Sequence, residues 1–437
     1  MKNIFRKRDN SLGLVELIAI ALGGMVGGGI FTVLGVSVGM VGYLTPIAII
    51  IGGLIAALAA YSYVKLGLYY RDEGATYSFY KKTYPKSPFS ASVIGWFVIF
   101  GYISTLALYA YTFSSYAISS TDFANNIWIR KIIAIGVIGL FTVINVWSVN
   151  GMGKIEDLMV YTKLVVLTII SVVLIQHGST DFGTFINNMA VDVENSNLFN
   201  ILIVASLTFV AYEGFQLVIN AVNEMTHPEK NIPRAIYAAI ILAILIYVII
   251  STGALFAIPI DEIIKNKEYA LAAGAGNILG GLGTSLVILG AILATSSAIS
   301  GTVFGSSRQM AVIAEDGYLP KILAFRKNKI PISAIITMAI TASILILIGG
   351  LELILEFGSI TFLLVSFLMA VANYKIRKQT NSSGFLTILS IIGLAMGGIL
   401  ILYYELTTKW QQMGFILMLY VVLALGAWLY SKKKTAE

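Results

Sequence analysis

Two side chains that can gain or lose a proton, Lys163 and Glu213, lie within long apolar segments of the sequence. A charge at the centre of a bilayer costs about 2.5–3.5 kcal/mol on insertion scales, so such residues usually serve a function. Alternatively, the lysine could extend its ammonium group to the interface, and the glutamate could be held neutral by neighbouring helices. The chemistry they offer is proton binding and release, or pairing of the carboxylate with an ammonium group.

A glycine-rich stretch is the second chemical feature of the sequence. Residues 23–29 contain five glycines in seven positions, and each glycine costs up to about 1 kcal/mol relative to alanine inside a helix. The pairs Gly23/Gly27 and Gly24/Gly28 could instead serve close helix packing. A helix that opens here would expose amides that bind a carboxylate and carbonyls that bind an ammonium group or a cation.

A comparable interruption occurs in the second half of the chain, where Glu213 precedes Gly214 inside the apolar run 209–216. Paired interruptions at corresponding positions of two halves indicate a transporter binding site, because broken helices expose backbone groups at the midplane. Together they suit a zwitterionic ligand. The predicted substrate-binding residues are Met25, Gly27, Gly28, Gly29, Val210, Ala211, Tyr212, Glu213, Gly214 and Phe215.

The elements that must position these residues are membrane helices. The chain has 437 residues, of which 58% are hydrophobic and 12% charged, with a mean hydropathy of +0.87. This composition excludes a water-soluble globule, because large apolar areas would face water. The chain has no cysteine and only two histidines. A disulfide scaffold and thiolate or imidazole-rich metal centres are therefore excluded, and no metal site is predicted.

Twelve stretches are long and apolar enough to cross a bilayer, and their length favours helices over the short alternating strands of a barrel. They are approximately 12–37, 43–67, 90–118, 131–149, 156–176, 199–223, 233–258, 277–305, 331–350, 353–375, 384–403 and 412–431. The first is too long for a signal peptide and lacks a small-residue cleavage site, so we interpret it as a retained helix.

Basic residues predict the orientation of these helices. With the N-terminus inside, 22 Lys and Arg residues fall in cytoplasmic segments and five in outer ones. The positive-inside rule therefore predicts cytoplasmic tails at residues 1–11 and 432–437 of a multi-pass protein of the cell membrane. The net charge of +7 does not indicate nucleic acid binding, because the basic residues lie between apolar runs.

Three segments resemble motifs of the amino acid/polyamine/organocation (APC) transporter superfamily. The run 209–236, with Glu224 and the sequence from Pro228 to Ile236, resembles the helix 6 signature of that superfamily, and Gly27–Phe31 resembles its helix 1 motif. The segment 308–320 resembles the one after helix 8.

The resemblance implies an all-α polytopic membrane protein with a leucine-transporter-like fold of 5+5 helices. In that fold, residues 12–176 and 199–375 would form two inverted repeats, and helices 1 and 6 would be broken around the substrate. The two helices within 384–431 would be peripheral.

Lys163 resembles the helix 5 lysine of proton-coupled members, whose ammonium group stands where sodium binds in sodium-coupled relatives. We expect the protonated lysine to donate hydrogen bonds to a carbonyl near Gly23 and to the hydroxyl of Ser296 or Ser297. Loss of the proton would then shift the equilibrium between outward and inward states. The proton is the expected coupling ion, and no other cofactor is predicted.

Glu213 allows two interpretations, since it could pair with an ammonium group of the substrate or carry a second proton. Many members of the superfamily carry an acid directly after the Gly-Phe of helix 6, whereas this chain has Gln216 there.

The expected function is secondary active transport of amino acids, neutral ones favoured, by proton-coupled uptake through alternating access. Alternatives are an amino acid exchanger, a transporter of cationic amino acids or polyamines, and a sensor that binds without transport. An enzyme is not expected, because no catalytic constellation is present at a membrane face. The expected partners are a small amino acid and the lipid bilayer, with no nucleic acid and no obligatory protein partner.

Overall fold

A computed structural model describes most of the chain. The described residues are 12–72, 74–147, 149–178, 180–195, 197–222, 225–327 and 330–436. The expected tail 1–11 and Glu224 of the helix 6 motif lie outside them.

Seventeen α-helices make up nearly all of the described chain. They are α1 (Leu14–Met25), α2 (Gly29–Val41), α3 (Thr45–Tyr70), α4 (Ala75–Thr83), α5 (Pro88–Ala117), α6 (Ile127–Trp147), α7 (Val149–Gln176), α8 (Phe182–Asn195), α9 (Leu198–Leu207), α10 (Leu217–Asn220), α11 (Pro228–Ala257), α12 (Ile260–Lys265), α13 (Ala270–Glu315), α14 (Ile332–Ile348), α15 (Leu351–Lys375), α16 (Gly384–Thr408) and α17 (Trp410–Ala436). Three 3₁₀ turns accompany them, at Gly42–Leu44, Thr208–Tyr212 and Lys321–Ala324.

The helices are those of a polytopic membrane protein. Within the described residues, ten helical stretches are long and apolar enough to cross a membrane, and α1 and α14 are shorter apolar helices. The same residues contain two isolated β-bridges and no strand. The all-helical membrane class predicted from the sequence is therefore confirmed.

The first and the sixth of the predicted spans are each divided into two helices by non-helical residues. The first consists of α1, which ends at Met25, and α2, which begins at Gly29. In the sixth, α9 ends at Leu207, a 3₁₀ turn follows, and residues 213–216 form a further turn before α10 begins at Leu217. Gly214 lies in this second interruption with φ of 125°, a value that favours glycine because it has no Cβ.

The structure differs from the prediction in two of the connections between spans. The segment 177–198, which we expected to be a connection, contains the amphipathic helix α8. Its Phe185 is buried against Tyr43 and Phe256, with ring centroids 5.6 and 4.9 Å away. A short helix with one apolar face has too little hydropathy to be recognised as a span, although packing stabilises it. The connection 259–276 likewise contains α12 and the start of α13.

Close helix contacts depend on small residues. A Cβ atom built on Gly52 of α3 would lie 2.0 Å from Thr208 Oγ1 and 2.7 Å from the Ala205 carbonyl oxygen. A Cβ atom on Gly139 of α6 would meet no atom within 4 Å. The first glycine therefore lets α3 approach the interrupted helix, whereas the second faces open space.

This contrast gives a prediction about stability. Gly52→Ala should lower the free energy of unfolding by about 1–3 kcal/mol, because it overpacks a close contact. Gly139→Ala should leave it unchanged or raise it by up to about 1 kcal/mol, because alanine is the better helix former. Thermal unfolding of the purified variants in one detergent measures both effects. Equal melting temperatures for the two variants would contradict this account of the packing.

Candidate functional site

The two helix interruptions lie in direct contact. A Cβ atom on Gly24 would be 3.1 Å from Gly214 Cα, and one on Gly214 would be 2.6 Å from the Gly24 carbonyl carbon. A Cβ atom on Gly29 would be 2.9 Å from Ala211 Cα. The glycines thus allow the backbones of the two interruptions to meet, and a larger residue at any of these positions would separate them.

Tyr247 of α11 joins the same two segments. Its hydroxyl lies 2.7 Å from the Met25 carbonyl oxygen and 2.8 Å from the Ala211 carbonyl oxygen, so it can donate to either. The side chain is buried. The sequence does not single out Tyr247, because it is one of two tyrosines in a largely apolar helix and its partners are backbone atoms.

Tyr109 of α5 covers the first interruption from the other side. Its hydroxyl donates to the Gly24 carbonyl oxygen at 3.3 Å. Cβ atoms on Gly27 or Gly28 would lie 3.1 Å from its ring. A Cβ atom on Gly28 would also contact Thr112. The Thr112 hydroxyl oxygen lies 2.7 Å from the hydroxyl oxygen of Thr32 in α2. The glycines of the first motif therefore permit an aromatic residue to lie against the exposed backbone.

Lys163 is completely buried in α7. Its ammonium group donates to the Gly23 carbonyl oxygen at 3.0 Å and to Ser297 Oγ of α13 at 3.3 Å. Ser296 is the neighbouring residue and is also buried. A single cationic side chain thus connects three helices at the end of α1, next to the interruption.

Glu213 is buried beside Gln216. The Gln216 amide nitrogen donates to Glu213 Oε2 at 2.5 Å and lies 3.2 Å from the Tyr102 hydroxyl, while its oxygen accepts from the Gly214 backbone N–H at 3.2 Å. Glu213 Oε1 has no hydrogen-bond partner among the described residues. Gln216, at the position where many superfamily members carry an acid, therefore orients the neighbouring acid.

A small cavity adjoins these groups, with about 20 Å³ open to the centre of a water molecule. Its lining comprises Gly24, Tyr102, Thr105, Tyr109, Glu213, Gly214, Leu217, Thr302, Ser306 and Phe362. A space of this size holds about one water. An amino acid can therefore enter only after the surrounding helices move apart. Thr105, Thr302 and Ser306 were not predicted, because their direction on long apolar helices is not readable from spacing.

The remaining predicted binding residues contribute packing in this conformation. The Tyr212 hydroxyl donates to the Ile49 carbonyl oxygen of α3 at 2.8 Å. The Phe215 ring meets Tyr63 edge-on, with centroids 5.3 Å apart. Val210 is buried against α15, since a Cβ atom on Gly358 would lie 3.4 Å from its side chain.

The third motif, after α13, is held by polar contacts outside the membrane spans. Asp316 accepts hydrogen bonds from the Lys81 ammonium group and the Tyr77 hydroxyl of α4, each at 2.7 Å. Burial and the Asp316 carboxylate raise the pKa of Tyr77, so the phenol stays protonated and donates. Gly317 follows with φ of 84°. These contacts fix the end of α13 on α4.

Polar groups gathered at facing helix interruptions, inside a bundle of membrane helices, are typical of transporters for small molecules. The family model for amino acid permeases matches residues 12–410. The chain therefore belongs to the amino acid permease family of the APC superfamily, whose members are transporters and not enzymes.

Known proteins are similar over most of the chain. An uncharacterised protein of Methanocaldococcus jannaschii is 28% identical over 92% of this chain and 91% of its own. The inner membrane transport protein YbaT of Escherichia coli is 26% identical over 92% of this chain and 91% of its own length. The large neutral amino acids transporter small subunit 2 of Oryctolagus cuniculus is 28% identical over 80% of this chain and 67% of its own. Amino acid transport across a membrane is therefore the general function.

The bridging role of Tyr247 predicts a specific loss. Tyr247→Phe keeps the ring but removes the donor shared by the Met25 and Ala211 carbonyls, which should lower the free energy of unfolding by about 1–3 kcal/mol. Tyr237→Phe, in the same helix and only partly buried, is the matched control and should be nearly neutral. Thermal unfolding of both variants gives the comparison. If Tyr247→Phe is as stable as the control, the hydroxyl does not hold the two interruptions together.

Proposed function

We propose that this protein is a secondary active transporter that couples the uptake of amino acids, preferably neutral ones, to proton movement by alternating access. The observation that carries the proposal is the buried ammonium group of Lys163, which donates to the Gly23 carbonyl at the end of α1. A buried lysine whose partners change with conformation can link protonation to helix position.

The architecture we propose has twelve crossings. Helices α1 and α2 form one interrupted crossing, and α9 and α10 form another. Residues 12–176 and 199–375 form two inverted repeats, and the helices within 384–431 are peripheral. The distribution of basic residues supports cytoplasmic termini, and the likeness to an inner membrane transporter supports the cell membrane.

The proposed coupling step is loss of the Lys163 proton. The charged form donates to Gly23 and Ser297 and so holds α1 against α7 and α13. A neutral amine is a weaker donor, and burial disfavours the charged form. Deprotonation therefore weakens the hold on α1 and favours the conformation in which α1 has moved. The proton is the proposed coupling ion, and no resident cofactor takes part.

The proposed binding mode uses the backbone of both interruptions. Amides at the start of α2, around Gly27, Gly28 and Gly29, suit a carboxylate, and carbonyls of the residues 210–213 suit an ammonium group. Such a site needs no further charge on the ligand. The name of the mammalian relative, a transporter of large neutral amino acids, supports the preference for neutral substrates.

Glu213 suits a different substrate class as well, because it lines the cavity and its Oε1 has no hydrogen-bond partner among the described residues. We propose that this acid is neutral, because no basic residue lines the cavity to balance its charge. A transporter of cationic amino acids or polyamines is the second candidate, since an ionised Glu213 would receive a cationic side chain.

Replacement of Lys163 tests the proton coupling. Lys163→Ala in liposomes should bind substrate but lose accumulation driven by a pH gradient, because the protonatable link to α1 is gone. The measurement is uptake of labelled amino acid with an imposed proton gradient and, separately, with an imposed sodium gradient.

Lys65→Ala is the matched control, since Lys65 donates to the Asn381 carbonyl oxygen at 2.7 Å at the end of α3, away from α1. This variant should retain proton-driven uptake. Undiminished dependence of Lys163→Ala on the pH gradient would refute the coupling role. Sodium-driven uptake by the unmodified protein would refute proton coupling altogether.

Competition tests the substrate class. Alanine and leucine should inhibit uptake by the unmodified protein strongly, and lysine and arginine weakly. Glu213→Gln should show the same order, because the amide resembles the neutral acid in shape and charge. Strong inhibition by lysine that disappears in Glu213→Gln would instead favour the cationic alternative.

A further inference from the structure

Two buried carboxyl groups meet at the end of the bundle where α15 begins and α16 ends. Glu356 is 1% exposed and Glu405 is completely buried. Lys409 links the two residues, because its ammonium group donates to Glu356 Oε1 at 2.6 Å and its backbone N–H donates to the Glu405 carbonyl oxygen at 2.9 Å. Among the described residues, no amide, ammonium or hydroxyl group donates to either side-chain oxygen of Glu405. A buried carboxyl group without a donor is more stable in its neutral form, which favours a proton on Glu405.

The charges around the pair lead to the same conclusion. Lys409, between α16 and α17, donates to Glu352 at 2.8 Å and to Glu356 at 2.6 Å, and Lys267 pairs with Glu352 on its other side. The phenol of Tyr404 is the other titratable group that faces the pair. Three acids thus face two ammonium groups. A net charge left on the two buried carboxyl groups would be costly, and one bound proton removes it.

Lys409 already carries its proton, so it cannot bind the one that balances the charge. Burial alone would lower the pKa of Lys409, but the neighbouring carboxylates of Glu356 and Glu352 raise it. The lysine therefore stays charged, and the balancing proton must reside on a carboxyl group. Glu405 is the acid without an ammonium partner among the described residues, so it is the one that carries the proton.

The cluster is connected to a segment that closes this end of the bundle. The Lys267 side chain pairs with Glu352 of α15, and a Cβ atom on Gly35 of α2 would lie 2.3 Å from the Lys267 carbonyl oxygen. Glu268 pairs with Arg130 of α6. The segment 267–269 therefore lies across α2 and is fastened to α15 and α6 by ion pairs.

We propose that Glu356 and Glu405 form a proton-binding site separate from Lys163, and that the bound proton keeps segment 267–269 fastened over α2. Loss of the proton would leave two ionised carboxylates in contact, and their repulsion would separate α15 from α16. The ion pairs of Glu352 with Lys409 and with Lys267 would weaken at the same time. In the orientation proposed above, the site faces the outside. This orientation is the only part of the proposed function on which the inference rests.

Spin labels can test this, because the chain contains no cysteine to interfere. Labels at Ile264→Cys of α12 and Leu406→Cys of α16, two exposed positions, report the distance between these helices. In the purified protein in detergent, a population with a longer distance should grow as the pH rises from about 5 to about 9, where a buried acid loses its proton. In Glu405→Gln the short distance should persist at every pH, because the amide donates to Glu356 as the protonated acid does.

Three further variants make the result decisive. Glu356→Gln removes the other acid and should also abolish the pH response, which covers the case that Glu405→Gln does not fold. Glu194→Gln replaces an exposed acid on α8 and should respond as the unmodified protein does. Lys163→Ala should keep the response as well, if the two proton sites are separate. A pH response that survives in Glu405→Gln, or its absence in the unmodified protein, overturns the proposal. Because neither substrate nor gradient is present, the outcome does not depend on whether transport is proton-coupled.

Discussion

The structure depends on one constraint: every backbone amide and carbonyl inside a membrane needs a partner within the protein. Both helix interruptions violate the regular hydrogen bonding of a helix, and specific side chains compensate for it. Tyr247 serves Met25 and Ala211, Tyr109 serves Gly24, and Lys163 serves Gly23. Polar side chains are therefore concentrated around the two interruptions.

This concentration of polar groups explains how a bundle of packed helices can contain a site whose hydrogen bonds change. The Ala211 carbonyl, which now receives a hydrogen bond from Tyr247, is one of the groups that we propose for the substrate ammonium group. The cavity between the interruptions is small, so the described conformation is closed around its own side chains. Substrate binding must exchange some internal hydrogen bonds for bonds to the ligand, which ties binding to helix movement.

Much of this arrangement could be predicted from the sequence, because membrane helices and their interruptions leave strong local signals. Hydropathy predicted an all-helical membrane protein, glycine density predicted the interruption after Met25, and an isolated cation in an apolar run singled out Lys163. Tyr247 and Glu405 left no such signal, because their significance comes from partners distant in the chain. Helix α8 was missed because its apolar face is short and becomes recognisable only through packing on Tyr43 and Phe256.

The central claim is that the two interruptions together bind an amino acid through their backbone groups. A structure determined with a bound neutral amino acid tests it most directly. The account predicts the substrate carboxylate within about 2.7–3.2 Å of the amides at Gly27–Gly29, and the ammonium group at a similar distance from carbonyls of the residues 210–213. An amino acid bound elsewhere, with Gly24 and Gly214 still in contact, would contradict it.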